Sequence, residues 1–540
     1  DADYSFAKPP NKSRLTAVQG DQSAVLMWDN VAEFSRDPIY GTDFEGYMIY
    51  RATDPSFNSI KTITDAFGNP ILWQSIAQFD LDNGLNGPHP VQIGETGAVF
   101  NTGKDSGLRY YYKDTGLDNG RSYYYALVPY DAGYDIDFFD RGISTRDKLT
   151  PISPSEASKI IQTDLIGNVT FVDRNTAVVV PNAPGAGVLI GGLDGEIIHE
   201  GPGTGIIEVE VVVPDSLEQG AQFRVSFTDT TKALLTQGIR IDETLSNRLV
   251  YEAAAFDSVD LSRRLLSGLN FTVYTPPEPE PLTYGWTDGN SNLRASIDIV
   301  ESGRSVRVPD DIEIRMGAPG VDSSFVQFAF EQRTPVDFQI FGVNSGLKYL
   351  FILDETGTPD GRLSAGDIVT LVFDPVGFRF NLGWRFTFSG PEGESPRLPE
   401  PGDVYRLDVS KPFSSLDTIT FATQETRYES EKAANDLSNI YVVPDPYVAS
   451  ASWERPLFNA TGRGERRIDF VNLPPECTIR IFNTAGKLVQ VLNHDSVFEN
   501  GSESWDLVSK DGLTVAFGVY FFHVETPDAG EATGKFTLIK

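Results

Sequence analysis

The chain of 540 residues sets 76 acidic side chains against 44 basic ones, a formal net charge of −32, which excludes nucleic acid as a partner because phosphate binding needs a clustered basic face. A single cysteine, Cys477, excludes an intrachain disulfide, and without an apolar run of membrane-crossing length no membrane span is predicted. The 35 Phe, 21 Tyr, 49 Gly and 34 Pro suit pleated, half-buried surfaces with dense turns, so the predicted class is all-β, with on the order of three to four domains.

Residues 1–14 carry the Pro9-Pro10 pair and no strand periodicity, and read as an extended arm. A first β-domain, 15–155, opens with the apolar run Ala24 to Trp28 and the strand-forming stretch Phe44 to Arg51. A long insertion with turn signals at Asp82-Asn83-Gly84 and Asn86-Gly87 interrupts it before the run Tyr123 to Val128. The next domain, 156–275, shows period-two alternation at Ile207, Val209, Val211 and Val213, and again at Phe223, Val225 and Phe227. A stiff Pro-rich linker, 276–282, separates it from a third β-rich domain, 283–437, with Ile312, Ile314 and Met316 alternating, as do Phe378, Phe380 and Leu382. Short helices are expected near Leu261–Leu266 and Glu429–Leu437. The last domain, 438–540, holds Ile468-Asp469-Phe470-Val471, Thr478-Ile479-Arg480-Ile481-Phe482, Trp505-Asp506, Gly518-Val519-Tyr520-Phe521 and the terminal Gly534 to Lys540.

Two resemblances follow from these residues. Leu117 lies six positions before Tyr123, and with Trp28, Tyr47 and Ile49 this resembles a fibronectin type III domain, implying a tyrosine corner in which the phenol bonds back to the loop. The motif order after Asn439 resembles the immunoglobulin-like C-terminal sorting domain of type IX secretion cargo and its relative in flagellar hook-capping proteins. It departs from the commonest sorting domains in its Trp505-Asp506 pair and in the longer approach Val515 to Gly518. Together these resemblances imply tandem immunoglobulin/fibronectin-like β-sandwich domains and a secreted, extracellular cell-surface location. The start at Asp1 is read as a mature product freed of its signal peptide.

The candidate metal site is the loop Asp354 to Asp367. Calcium takes six to eight oxygens from a tight loop with a glycine at its sharp turn. Asp354, Thr356, Asp360, Arg362 (through its carbonyl) and Asp367 are its candidate ligands, set against a plain Asp-Gly turn between two strands. The acids Asp131, Asp135, Asp137 and Asp140 read as a solvated loop, and Gly185 to Gly191 as a glycine-rich turn, since Pro181 and Pro184 precede it and no helix follows to receive a pyrophosphate. His89, His199, His494 and His523 form no zinc motif, no Gly-x-Ser-x-Gly elbow or phosphate loop is present, and Cys477 reads as a packed small hydrophobe.

The reading is therefore a non-enzymatic structural subunit of an extracellular filament or surface layer, its partners copies of itself. The arm, through Tyr4, Phe6 and the prolines, or the final strand Lys535–Lys540, is expected to lie against a neighbouring copy. The alternatives are an adhesin binding a cell-surface glycan through exposed Trp73 or Trp286, and an accessory region of a larger secreted hydrolase.

Overall fold

The computed structural model describes residues 6–64, 67–164, 167–230, 234–326, 332–356, 359–376, 379–448, 466–498 and 500–539. Tyr4, Gly357, Thr358, Phe378 and Lys540, all part of the sequence reading, lie outside these residues. The fold is all-β; of the described α-helices, Ser430–Asp436 falls within the expected Glu429–Leu437, while Ser258–Ser262 overlaps the expected Leu261–Leu266 only at Leu261 and Ser262.

In the first sandwich, Leu15–Gly20, Ser23–Trp28 and Tyr111–Thr115 form one leaf. Thr176–Val179, Tyr123–Asp131, Phe44–Ala52 and Ala77–Asp80 form the other. Trp28 packs between them, 5.9 Å from the Tyr47 ring and 6.0 Å from Phe79. The tyrosine corner is formed: Leu117 and Tyr123 are buried, and the Asp118 amide donates to the Tyr123 hydroxyl at 2.9 Å. This sandwich runs past the expected boundary at 155. Its closing strand is Thr176–Val179, which pairs Val179 with Tyr123 and brings Val179 into the core. The intervening segment, including the hairpin Ile161–Thr163/Val169–Val172, separates two strands that are neighbours in the sheet, and so hides their pairing from a local reading.

Within this series of sandwiches the next two domains are nested, one inserted in the other. A five-stranded leaf has the order Gly192–Glu200, Thr418–Gln424, Gln222–Asp229, Thr236–Glu243, Arg248–Ala253, and Ile206–Val211 pairs with Leu269–Tyr274 opposite it. The strand at 418–424, assigned by sequence to the third domain, is thus the second strand of this leaf. It belongs there because Ile419 and Phe421 fill the second core, with Phe421 stacked 5.1 Å from Phe223. The third sandwich, from Pro281 to Val409, is inserted between Leu269–Tyr274 and that strand. Its eight strands form one continuous sheet in the order Pro281–Asp288, Val404–Val409, Ile312–Met316, Phe338–Gly342, Lys348–Asp354, Ile368–Val376, Arg379–Ser389, Arg294–Ile299, with Ile340 paired to Tyr349 at its middle, and it encloses Trp384, Phe386, Phe388, Tyr405, Phe338 and Phe351.

The chain therefore crosses twice between host and insert. Along the outgoing Pro-rich stretch, Glu280 and Ser410 of the returning chain exchange hydrogen bonds, the Ser410 amide donating to the Glu280 carbonyl at 2.8 Å. Beside it Lys411, 5 % exposed, donates from Nζ to Asp311 Oδ1 at 2.7 Å and to the Val409 carbonyl at 2.8 Å. The Lys411 amide in turn donates to Thr204 Oγ1 of the host at 2.8 Å.

In the C-terminal sandwich Tyr441–Val443, Ile468–Val471 and Ser502–Trp505 face the order Tyr447–Val448, Glu531–Ile539, Gly518–Glu525, Glu476–Asn483, Leu488–Asp495. Trp505, Phe470, Phe522 and Phe536 pack its core, and Cys477 is buried there with its thiol pushed up to about 12 by burial. The glycine run at 185–191 docks on this unit instead of turning between paired strands. Gly187, at φ +81°, has no room for a Cβ, which would meet the Ala433 Cβ at 2.5 Å.

Candidate functional site

The C-terminal five-stranded leaf has one face on the core and one facing outward. A strand with one wet face alternates apolar and polar residues, but Gly518–Glu525 is apolar on both faces. Tyr520, Phe522 and Val524 point inward, while Val519 and Phe521 point outward beside Phe517. Phe521 lies opposite Lys535 and Phe482, and Val448 lies opposite Ile539. Val448, Phe517, Val519, Phe521 and Ile539 are 39–50 % exposed. Around them stand Lys535, Arg480, Glu525, Glu531 and His523, with Arg480 Nη1 2.5 Å from Glu525 Oε2 and His523 Nε2 2.9 Å from Glu531 Oε2. A molecule of net charge −32 thus carries here an apolar centre with a charge-balanced rim. The sequence signal was present in Val519 and Phe521, the in-between positions of an otherwise alternating strand.

The predicted calcium loop is held by its own hydrogen bonds. Asp367, 1 % exposed, accepts from the Thr356 amide at 3.0 Å and from the Ser364 amide at 2.7 Å and hydroxyl at 2.9 Å. Asp360 Oδ1 accepts from the Arg362 amide at 2.9 Å, the Thr356 hydroxyl donates to the Gly366 carbonyl at 2.7 Å, and Asp354 pairs with Ile368 in the sheet. Among the described residues no three His, Cys, Asp or Glu side chains converge in a geometry that could hold a metal ion.

Neither tryptophan expected to be exposed offers a free face. Trp286 packs on the third core, 5.2 Å from the Tyr405 ring, with Nε1 donating to the Leu293 carbonyl at 2.8 Å. Trp73 carries Lys159 Nζ 3.5 Å and Lys61 Nζ 5.0 Å from its ring centre.

Of the expected intermolecular contacts, the arm from Lys8 to Arg14 lies on its own first sandwich. The Lys8 amide donates to Asp37 at 2.6 Å, the Asn11 amide to the Ser35 hydroxyl at 2.8 Å, and Lys12 pairs with Asp173. Glu531–Ile539 pairs along its length with Gly518–Glu525, and its last two residues, Leu538 and Ile539, pair on the other side with Tyr447 and Val448. Neither segment offers a whole free edge. The acids near Tyr130 divide: Asp131 is buried, whereas Asp135, Asp137 and Asp140 lie in the loop Tyr134 to Arg141.

One cleft lies where host and insert meet. It holds about 450 Å³ and is walled by Pro202, Pro309, Pro412, Leu347, Phe373 and Leu416. Its polar lining is already engaged: Asp310 accepts from the Asn344 amide at 2.9 Å and the Tyr349 hydroxyl at 3.0 Å, and Lys411 is paired with Asp311.

No family model matches the chain, and no curated protein matches it. Among solved structures it is similar to PorZ, a bacterial surface component of the type IX secretion system of Porphyromonas gingivalis, at 10 % identity over 100 % of this chain and 87 % of that one, with a TM-score of 0.19. Dimeric latent PorU from the same organism aligns at 14 % identity over 61 % of this chain and 30 % of that one, TM-score 0.14. The FN1–FN3 domains of chicken CNTN1 align at 9 % identity over 99 % and 100 %, TM-score 0.12.

Proposed function

We propose that the chain is a non-enzymatic structural subunit of the cell exterior, exported and then assembled with copies of itself through the outward face of its C-terminal sandwich. The observation that supports this most is the contiguous apolar strip Val448, Ile539, Phe517, Val519 and Phe521, since an exposed apolar patch with a polar rim marks an interaction surface. Self-association of a molecule with net charge −32 meets long-range repulsion, so a contact between copies belongs where charge is locally balanced, as it is around Lys535 and Arg480. The resemblance of residues 438–540 to export-linked domains supports the extracellular placement.

The test is solution mass by light scattering across a concentration series, for the wild type and for Val519→Glu/Phe521→Glu. The expected result is a concentration-dependent oligomer that the double variant reduces to a monomer. A wild-type monomer at every concentration, or an oligomer indifferent to the substitutions, refutes it. The cleft between host and insert favours a second reading, a glycan- or ligand-binding module, because pockets at domain junctions with apolar walls and a few polar groups are common ligand sites. A saturable isotherm with soluble cell-surface glycans, abolished by Leu416→Arg, would favour it.

A further inference from the structure

One end of the first sandwich gathers acids with few cations to answer them. Asp43 and Glu45 flank Phe44, whose partner across a bulge in the sheet is Asp131. Glu45 is 0 % exposed: Oε2 accepts from Asn83 Nδ2 at 2.9 Å, while Oε1 is buried without a hydrogen-bond partner. The charged groups facing it are Asp80, at the end of Ala77–Asp80, and Asp105. Both are already engaged with amides, Asp80 with those of Lys104, Asp105 and Ser106 at 2.6–2.9 Å, and Asp105 with those of Asn83 and Gly84 at 3.2 and 2.8 Å. Arg141, the cation near Asp105, donates to the Gly84 carbonyl at 2.8 Å.

Asp43 faces Asp131 and Asp37, with Arg146 as the neighbouring cation. That guanidinium is committed to the carbonyls of Pro38 and Ile39. Asp131 accepts from the Gly133 amide at 3.0 Å and the Ser155 amide at 2.9 Å. Asp37 receives the amides of Ile39 and Tyr40 at 2.6 and 2.7 Å and, from the arm, that of Lys8. The arm's first anchor is thus a carboxylate whose acidic neighbours are short of counter-charge.

We propose that this acid-lined rim is a pH-operated clasp, closed on the N-terminal arm near Lys8 and on the loop at residues 102–107 while Asp43, Glu45 and Asp131 are neutral, and loosened when these three ionise. The direction of the titrations agrees. Burial, reinforced by the neighbouring acids, pushes Asp131 up to about 6, Asp43 up to about 7 and Glu45 up to about 8. Carboxyls raised in the folded state stabilise it fully below their unfolded values, near pH 4, and that stabilisation is lost as pH climbs through 6 to 8. Lys12 with Asp173, and the Arg14 amide with Asp29 at 3.1 Å, hold the arm beyond the rim, so the loosening stays local.

Amide hydrogen exchange of the intact chain at about pH 5.5 and about pH 8.5, corrected for intrinsic rates, tests this. The Lys8 amide and those of residues 37, 39–43 and 102–107 should lose at least about tenfold in protection at the higher pH, the change expected for one pH unit between a group's unfolded value and its raised folded one. Strand Glu476–Asn483 in the C-terminal sandwich should not change. Asp43→Asn/Glu45→Gln, which fixes two of the carboxyls in a neutral form, should retain most of the protection at high pH. If the double variant does not fold, Asp43→Asn alone should show a smaller loss than wild type. Unchanged protection in wild type, an equal loss throughout the chain, or equal losses in wild type and variant would overturn the proposal.

Discussion

Replacing Lys411 by Met tests how the inserted sandwich is fixed to its host. Lys411 and Asp311 are both largely buried and 2.7 Å apart, and the Lys411 ammonium also bonds the Val409 carbonyl. Removing one partner of a buried ion pair typically costs about 3–5 kcal/mol, because the other charge is left without compensation. Asp311 would keep the Val409 amide at 2.9 Å and Arg406 at 3.8 Å, so the lower end, about 3 kcal/mol, is expected. Lys411→Met/Asp311→Leu removes both charges and should recover at least half of that loss. Urea unfolding followed by tryptophan fluorescence registers the insert through Trp384 and Trp286, alongside the first and last sandwiches through Trp28 and Trp505, so the transition that moves in the variant identifies the insert. A loss below about 0.5 kcal/mol in the single variant, the level of an ordinary surface change, would refute the reasoning. So would a double variant no more stable than the single one.

Tyr123→Phe should cost about 1 kcal/mol, the net worth of an ordinary hydrogen bond, since the Asp118 amide loses its acceptor; thermal or urea denaturation checks it. Asp367→Ala should cost about 2–3 kcal/mol, because it strips an acceptor from two loop amides and a hydroxyl. Millimolar calcium should leave the wild-type melting temperature unchanged if those amides keep the Asp367 carboxylate, whereas an upward shift would mark a bound cation.

Sequence patterns served best where the physics is local. The alternation at Phe223, Val225 and Phe227 is buried on one face in the fold, and the Leu117–Tyr123 spacing forms its corner, because both depend on a few consecutive residues. Long-range pairing was hidden. Nothing within Thr418–Gln424 tells a strand that closes its own domain from one that returns to a leaf begun more than two hundred residues earlier. Thr176–Val179 was missed for the same reason. The outward apolar strip was written in Val519 and Phe521, but a strand apolar on both faces also reads as one buried on both faces. The unpartnered oxygen of Glu45 had no sequence signal, for it exists only once Asn83, Asp80 and Asp105 are brought around it.

The nesting of one sandwich within another also decides how this chain would bear tension. A pull on the two flanks of the host enters at Gly192 and leaves at Gln424, which are direct partners in the sheet. The load therefore opens the ladder from Gly192–Gln424 toward Glu200–Thr418 one pair at a time, an unzipping geometry rather than a shear. Force reaches Val404–Val409 from the C-terminal side only after Thr418–Gln424 has peeled from both neighbours, so the inserted sandwich rides outside the line of force until its host has yielded.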